Sequence, residues 1–136
     1  MPDNIRFLRP DAMPAPRGYT HVVEITGPGR TVYIAGQLGM TVDGKFAGAP
    51  GDFRAQATQA FENLKAALAA VGGGFEHVVK ITNYFVDMAH LPVFFEVRDR
   101  YVNTSAPPAS TAVEIAKLAR AEAVFEIEAI AVLPPR

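Results

Sequence analysis

The stretch that most constrains the fold is the run at residues 124–132, Val-Phe-Glu-Ile-Glu-Ala-Ile-Ala-Val. Its branched and apolar residues predict a strand, in which alternate side chains leave opposite faces of a sheet. The face typical of a core carries Phe125, Ile127, Ala129 and Ala131. The other face carries Val124, Glu126, Glu128, Ile130 and Val132. Since neither water nor a sealed core suits this mixture, we expect a partner subunit or a cleft between subunits to cover it.

The size and composition fit one globular domain over residues 1–136, with an apolar fraction of 49%. A formal net charge of −1 gives no electrostatic reason to bind nucleic acid or an anionic membrane. The absence of cysteine excludes disulfides, thiol catalysis and thiolate metal sites. The N-terminus lacks the apolar run of a secretory signal, and no apolar stretch approaches the ~20 residues of a membrane span. We therefore expect a soluble, cytoplasmic protein.

The pattern along the chain predicts an α+β fold. Residues 1–18 contain four prolines and predict an extended arm without regular structure. Strands are predicted at 20–25, 31–35, 78–86, 110–116 and 124–132, with a short hairpin around Asp43-Gly44. Helical spacing predicts one helix from an Asp52 N-cap to the glycines at 72–74, and a second from about 91 to 102. Two helices on one face of a mixed, six-stranded sheet form a two-layer sandwich.

Arg98 lies in the middle of the apolar stripe of the second predicted helix. It follows Phe94 by four residues and precedes Tyr101 by three, so all three share one face. Since a guanidinium keeps its charge, Arg98 must reach solvent or meet an anion. One interpretation is a structural ion pair, for which the candidate carboxylates are Glu114, Glu126 and Glu128. The other is a site that binds the carboxylate of a substrate, and the two are compatible within one pocket.

The remaining candidate residues each allow two interpretations. Glu126 and Glu128 are either carboxylates satisfied at a subunit interface, or one of them is a general base whose pKa partial burial raises towards neutrality. Tyr19 and Ser110 are either hydrogen-bond donors in a pocket or ordinary residues at strand ends. The three histidines show no shared metal-ligand spacing, so we expect no metal site.

Five short stretches occur in an order that resembles the RidA/YjgF family, also called the reactive intermediate deaminase or L-PSP endoribonuclease-like family. They are residues 34–37, 56–64, 78–80, 108–111 and 126–131. The resemblance covers the chain from about Tyr19 onward. It implies a chorismate-mutase-like fold and a homotrimer with ligand clefts between neighbouring subunits.

The resemblance also implies an activity and its residues. The deaminases of this family hydrolyse imine and enamine intermediates to 2-keto acids and ammonia without a metal or organic cofactor. By position, Glu126 corresponds to the water-activating glutamate, Tyr19 to a pocket tyrosine and Gly36 to the pocket backbone. Ser110 replaces the family's carboxylate-binding arginine. We hypothesise that Arg98 takes over anion binding, and we expect an imine or enamine hydrolase for a small carboxylate-bearing metabolite.

Two other functions are weighed against this expectation. A non-catalytic trimer that binds small metabolites or partner proteins through the same clefts is the main alternative, because pocket residues of the family are replaced here. The label endoribonuclease is disfavoured by the nearly neutral charge and by the lack of a basic patch.

Overall fold

The computed structural model describes residues 3–136, which form six strands and two helices. The strands are β1 (Ile5–Leu8), β2 (Val22–Ile25), β3 (Arg30–Leu38), β4 (Val78–Phe85), β5 (Ala109–Glu114) and β6 (Phe125–Leu133). The helices are α1 (Phe53–Ala70) and α2 (Leu91–Arg98). One short 3-10 helix, Phe75–His77, precedes β4, and another, Met88–His90, precedes α2. Within the described range, no helix has the length and apolar character needed to cross a membrane.

The strands divide into two sheets. The larger sheet has the order β3-β6-β4-β5, in which β4 and β5 are parallel and the other pairs are antiparallel. The predicted α+β fold with a mixed sheet and two helices is confirmed. The six strands do not form one sheet, however, because within residues 3–136 β1 and β2 pair only with each other, with Ile5 opposite Ile25.

The two-stranded ribbon corrects two expectations. The predicted arm without regular structure contains β1, and its residues 1 and 2 lie outside the described range. Ile5 is buried against Val79 and Val132, with Ile130 packed beside them. The chain's own ribbon therefore covers one end of the glutamate-bearing face, and Glu126 and Glu128 lie towards the uncovered end.

Helix α1 forms as its sequence predicts. The Asp52 carboxylate accepts a hydrogen bond from the Ala55 N–H at 3.0 Å, and Gly72 follows the helix with a φ of 79°. Its apolar stripe is buried against the core face of β6; the stripe comprises Phe53, Ala57, Ala60, Phe61, Leu64 and Leu68. Helix α2 is shorter than predicted and ends at Arg98, whose carbonyl accepts hydrogen bonds from both Tyr101 and Val102.

Candidate functional site

Glu126 projects from the sheet face that the helices do not cover. Its neighbours Phe125 and Ile127 are fully buried on the opposite, helix-covered face. Strand β3 has a register irregularity between Ile34 and Gln37, which places Gly36 directly beside the Glu126 carboxylate. A methyl group at Gly36 would overlap that carboxylate. The predicted residues Glu126 and Gly36 are therefore in contact within one protomer.

The two carboxylates on this face have different surroundings. The Tyr84 hydroxyl donates a 2.6 Å hydrogen bond to Glu128, and this bond raises the pKa of Tyr84. Glu126 receives no hydrogen bond from any residue of the described range. Its partial burial, and secondarily the negative charge of Glu128, raise the pKa of Glu126 above the usual value for a glutamate. Of the two carboxylates, Glu126 is therefore the one without a hydrogen-bond donor among residues 3–136.

Ser110 projects from the other face of the sheet. Its Oγ accepts a 3.0 Å hydrogen bond from the side-chain amide of Asn83, a fully buried residue of β4. The next residue, Thr111, instead contacts Lys80 on the face that carries Glu128. Ser110 and Glu126 therefore leave opposite faces of one sheet, so a small ligand that contacts both side chains requires a second copy of the chain.

Arg98 is buried, as its position in the stripe predicts, with 5% of its surface exposed. Its expected ion pair with Glu114, Glu126 or Glu128 is wrong, because the observed partner is Asp99. Nε donates a hydrogen bond to Asp99 Oδ1 at 2.9 Å, and Nη2 lies 2.9 Å from the same oxygen. The guanidinium centre lies 4.7 Å from the Phe95 ring centroid. Asp99 is the C-cap of α2, and its own backbone is still helical, with its N–H donating to the Phe95 carbonyl at 3.1 Å.

The segment 18–20 links Arg98 to the start of β5. Gly18 has a φ of 75°, and a Cβ atom added there would overlap the Arg98 guanidinium. Thr20 is anchored by its hydroxyl to the Pro107 carbonyl at 2.5 Å and by its N–H to Pro108 at 3.2 Å. Half-buried Tyr19 lies between these anchors, which places the segment carrying Tyr19 between Arg98 and the residues just before Ser110.

Two contacts of the site were not predicted from the sequence. Asn83 and Gly18 contact Ser110 and Arg98, respectively, across long separations in the chain. The only local signal for Asn83 was an amide at a core-facing position between Ile81 and Phe85, both of which are apolar.

A cavity of about 460 Å³ lies away from these groups, between residues 44–51 and the loop before β6. None of the predicted site residues Tyr19, Gly36, Arg98, Ser110 and Glu126 is among its lining residues. Among residues 3–136, no cluster of three or more histidine, aspartate or glutamate side chains has an arrangement that would hold a metal ion.

The chain is thus a small α+β domain with two carboxylates, Glu126 and Glu128, on a sheet face that the helices do not cover. A family model described as Endoribonuclease L-PSP matches residues 10–133, and the chain belongs to this family. Protein DfrA of Myxococcus xanthus is 39% identical over 114 residues, 84% of each chain. The 2-iminobutanoate/2-iminopropanoate deaminase of Mus musculus is 38% identical over 118 residues, 86% of this chain and 82% of the relative.

Solved structures show the same fold. The protein YyfB of the conserved Rid family from Yersinia pestis superposes with a TM-score of 0.82 at 32% identity, covering 96% of this chain and 99% of that one. RidA from the Antarctic bacterium Psychrobacter sp. PAMC 21119 superposes with a TM-score of 0.71 at 34% identity, covering 94% and 99%. The resemblance inferred from the five sequence stretches is confirmed.

Proposed function

We propose that the protein is an imine or enamine hydrolase for a small carboxylate-bearing metabolite, with Glu126 as the residue that activates water. The observation that carries the proposal is the state of Glu126: half-buried, without a hydrogen-bond donor among the described residues, and with a raised pKa. A general base works best when its pKa lies near the operating pH. The relatives named 2-iminobutanoate/2-iminopropanoate deaminase support the reaction class.

The proposed reaction needs one proton acceptor that acts twice. The Glu126 carboxylate takes a proton from water while the water oxygen bonds to the imine carbon and the C=N electron pair moves onto nitrogen. Glu126 returns this proton to the nitrogen, and an amino alcohol forms. Glu126 then takes the proton of the hydroxyl group as C=O forms and passes it to the nitrogen, so that the C–N bond breaks, ammonia leaves and a 2-keto acid remains. An enamine enters the same sequence after a proton is added to its carbon. Gly36 leaves the space that the carboxylate occupies.

The proposed site lies between neighbouring subunits of a homotrimer. One protomer contributes Glu126 and Gly36, and its neighbour contributes Ser110, since these side chains leave opposite faces of the sheet. We propose that the substrate carboxylate lies at the Ser110 side, near Tyr19 and Arg98. Its reacting carbon then lies at the Glu126 side, where orientation by the bound carboxylate favours attack.

The experiment that tests the function is an assay with imines generated in solution. A dehydratase acting on threonine produces 2-iminobutanoate, and formation of 2-ketobutyrate is followed by a coupled dehydrogenase. We expect the protein to accelerate keto-acid formation above the rate of spontaneous hydrolysis. Absence of acceleration, together with measurable binding of 2-ketobutyrate, would instead support the non-catalytic binding protein that the replacement of the family arginine by Ser110 favours.

We propose that Arg98 assists binding of the substrate carboxylate. Since Arg98 already pairs with Asp99, the ligand then competes with Asp99 for the guanidinium. Arg98→Ala should weaken 2-ketobutyrate binding by about tenfold or more, the equivalent of one charge-assisted hydrogen bond. Calorimetry measures the affinity, and size-exclusion chromatography checks assembly. Asp99→Asn is the matched control and should tighten binding, because it weakens the competing ion pair. Unchanged affinity in both variants would leave Arg98 with a purely structural role.

A further inference from the structure

The amide of Asn83 is a polar group in an apolar layer. Asn83 is fully buried in β4, and the neighbouring core-facing residues Ile81 and Phe85 are also fully buried. Its Oδ1 is buried and has no hydrogen-bond partner in the part of the chain that the structure describes. An unpaired buried acceptor loses its hydrogen bonds to water without replacing them, and so destabilises the fold. An apolar side chain would avoid this penalty, so the amide at this position calls for a reason other than packing.

The NH₂ group of the same amide supplies that reason. Nδ2 donates to Ser110 Oγ at 3.0 Å and to the Thr111 carbonyl at 3.0 Å, which uses both of its hydrogens. Ser110 Oγ thereby acts as an acceptor towards Asn83. A hydroxyl group has a single hydrogen. When the hydroxyl oxygen accepts a hydrogen bond, this hydrogen points away from the group that donates the bond. The Ser110 O–H is thus left to donate to another group.

We propose that Asn83 is a positioning residue that orients the Ser110 hydroxyl as a hydrogen-bond donor to an oxygen of a bound 2-imino or 2-keto acid. This inference rests on the proposed function, because it takes the substrate class from it. Asn83 does not touch the ligand in this arrangement and acts through Ser110. The pair provides a neutral, pre-oriented donor at the strand position where relatives of the family carry an arginine, as the sequence resemblance implies.

The first test measures the Asn83–Ser110 contact without any substrate. The chain contains no cysteine, so Ser110→Cys introduces a single thiol. The Asn83 donor stabilises the thiolate, so alkylation by iodoacetamide should reach its half-maximal rate about one pH unit lower with Asn83 present than in the Asn83→Val background. Thr82→Val is the matched control. Thr82 lies on the other face of β4, where it is paired with Glu128, so its replacement should not shift the pH profile. Identical profiles with and without Asn83 would overturn the proposal.

The second test measures ligand binding and turnover. Asn83→Val and Ser110→Ala should each raise the KM for the imine and the Kd for 2-ketobutyrate by about tenfold, the equivalent of one hydrogen bond. The kcat should change much less, and the double variant should be no weaker than either single variant. Additive losses in the double variant, or an unchanged Kd in Asn83→Val, would overturn the proposal. If the role of Asn83 were only structural, its replacement would lower the melting temperature and leave KM unchanged. Asn83→Ala replaces Asn83→Val if the latter does not fold.

The tests separate this inference from the proposed function. Hydrolysis by the wild-type protein with no effect of Asn83→Val would remove the inference alone. Binding of 2-ketobutyrate that depends on Asn83, without hydrolysis of imines, would remove the proposed enzymatic function and leave the inference standing. A wild-type protein that neither binds the keto acid nor hydrolyses the imine would overturn both.

Discussion

Glu126→Gln is expected to lower kcat for imine hydrolysis by about 10²- to 10⁴-fold, the range lost when a general base is removed. The amide has almost the same shape as the carboxylate but does not accept a proton from water. Because Glu126 makes no hydrogen bond to the described residues that hold the rest of the site, binding of 2-ketobutyrate should be retained. Stopped assays measure turnover and calorimetry measures binding. Full activity in this variant would contradict the proposed role.

The pH profile of the wild-type protein gives the same prediction a second readout. A protonated Glu126 does not activate water, so kcat/KM should rise as the pH rises through the pKa of Glu126. Burial and the charge of Glu128 place that pKa above the usual glutamate value. Glu128→Gln removes the neighbouring charge and should move the midpoint of the profile to lower pH. A midpoint that does not respond to Glu128→Gln would show that another group controls the profile.

Gly36→Ala provides a companion variant that moves the carboxylate without removing it. The added methyl group overlaps the Glu126 carboxylate, which lies at the flexible end of its side chain and can rotate away. The backbone at Gly36 has no positive φ, so alanine introduces no strain of that kind. We expect a folded protein with a lower kcat. An unchanged kcat would indicate that the observed position of the carboxylate is not the reactive one.

Mixing two inactive variants should restore activity. If each cleft takes Glu126 from one subunit and Ser110 from its neighbour, Ser110→Glu and Glu126→Gln disable every cleft in their own homotrimers. Ser110→Glu does so because its carboxylate repels that of the substrate. Every mixed trimer then contains one cleft with both wild-type residues. Random mixing at equal amounts makes three quarters of trimers mixed, so about one quarter of wild-type activity should return.

Two controls make the mixing experiment decisive. The two variants are unfolded and refolded together, and each is also treated alone, so that recovery depends on exchange of subunits. Ser110→Asp, which carries the same repelling charge, serves as the second variant if Ser110→Glu does not assemble. Return of activity supports a shared cleft. Failure of correctly assembled mixed trimers to gain activity would contradict the placement of Glu126 and Ser110 in different protomers.

The features predicted correctly from sequence are those encoded by local periodicity. The alternation in β6 correctly predicted that Glu126 and Phe125 leave different faces of the sheet. The helical spacing of α2 correctly predicted that Arg98 lies among apolar residues. The features missed depend on contacts between distant segments or on where an element ends. Arg98 pairs with Asp99, its neighbour at the C-cap of α2, and β1 pairs with a second strand despite the surrounding prolines. The contact of Asn83 with Ser110 joins two strands 27 residues apart.

The raised pKa of Glu126 favours the proposed activity but lowers the stability of the fold near neutral pH. The native chain holds a proton on this side chain more firmly than the unfolded chain does, so unfolding becomes easier as the pH rises from the ordinary glutamate range to the raised pKa, and it stays easier above. Near neutrality this position therefore works against the compact state. Selection for more stable variants would repeatedly replace Glu126. Each such gain in stability would remove the residue proposed to activate water.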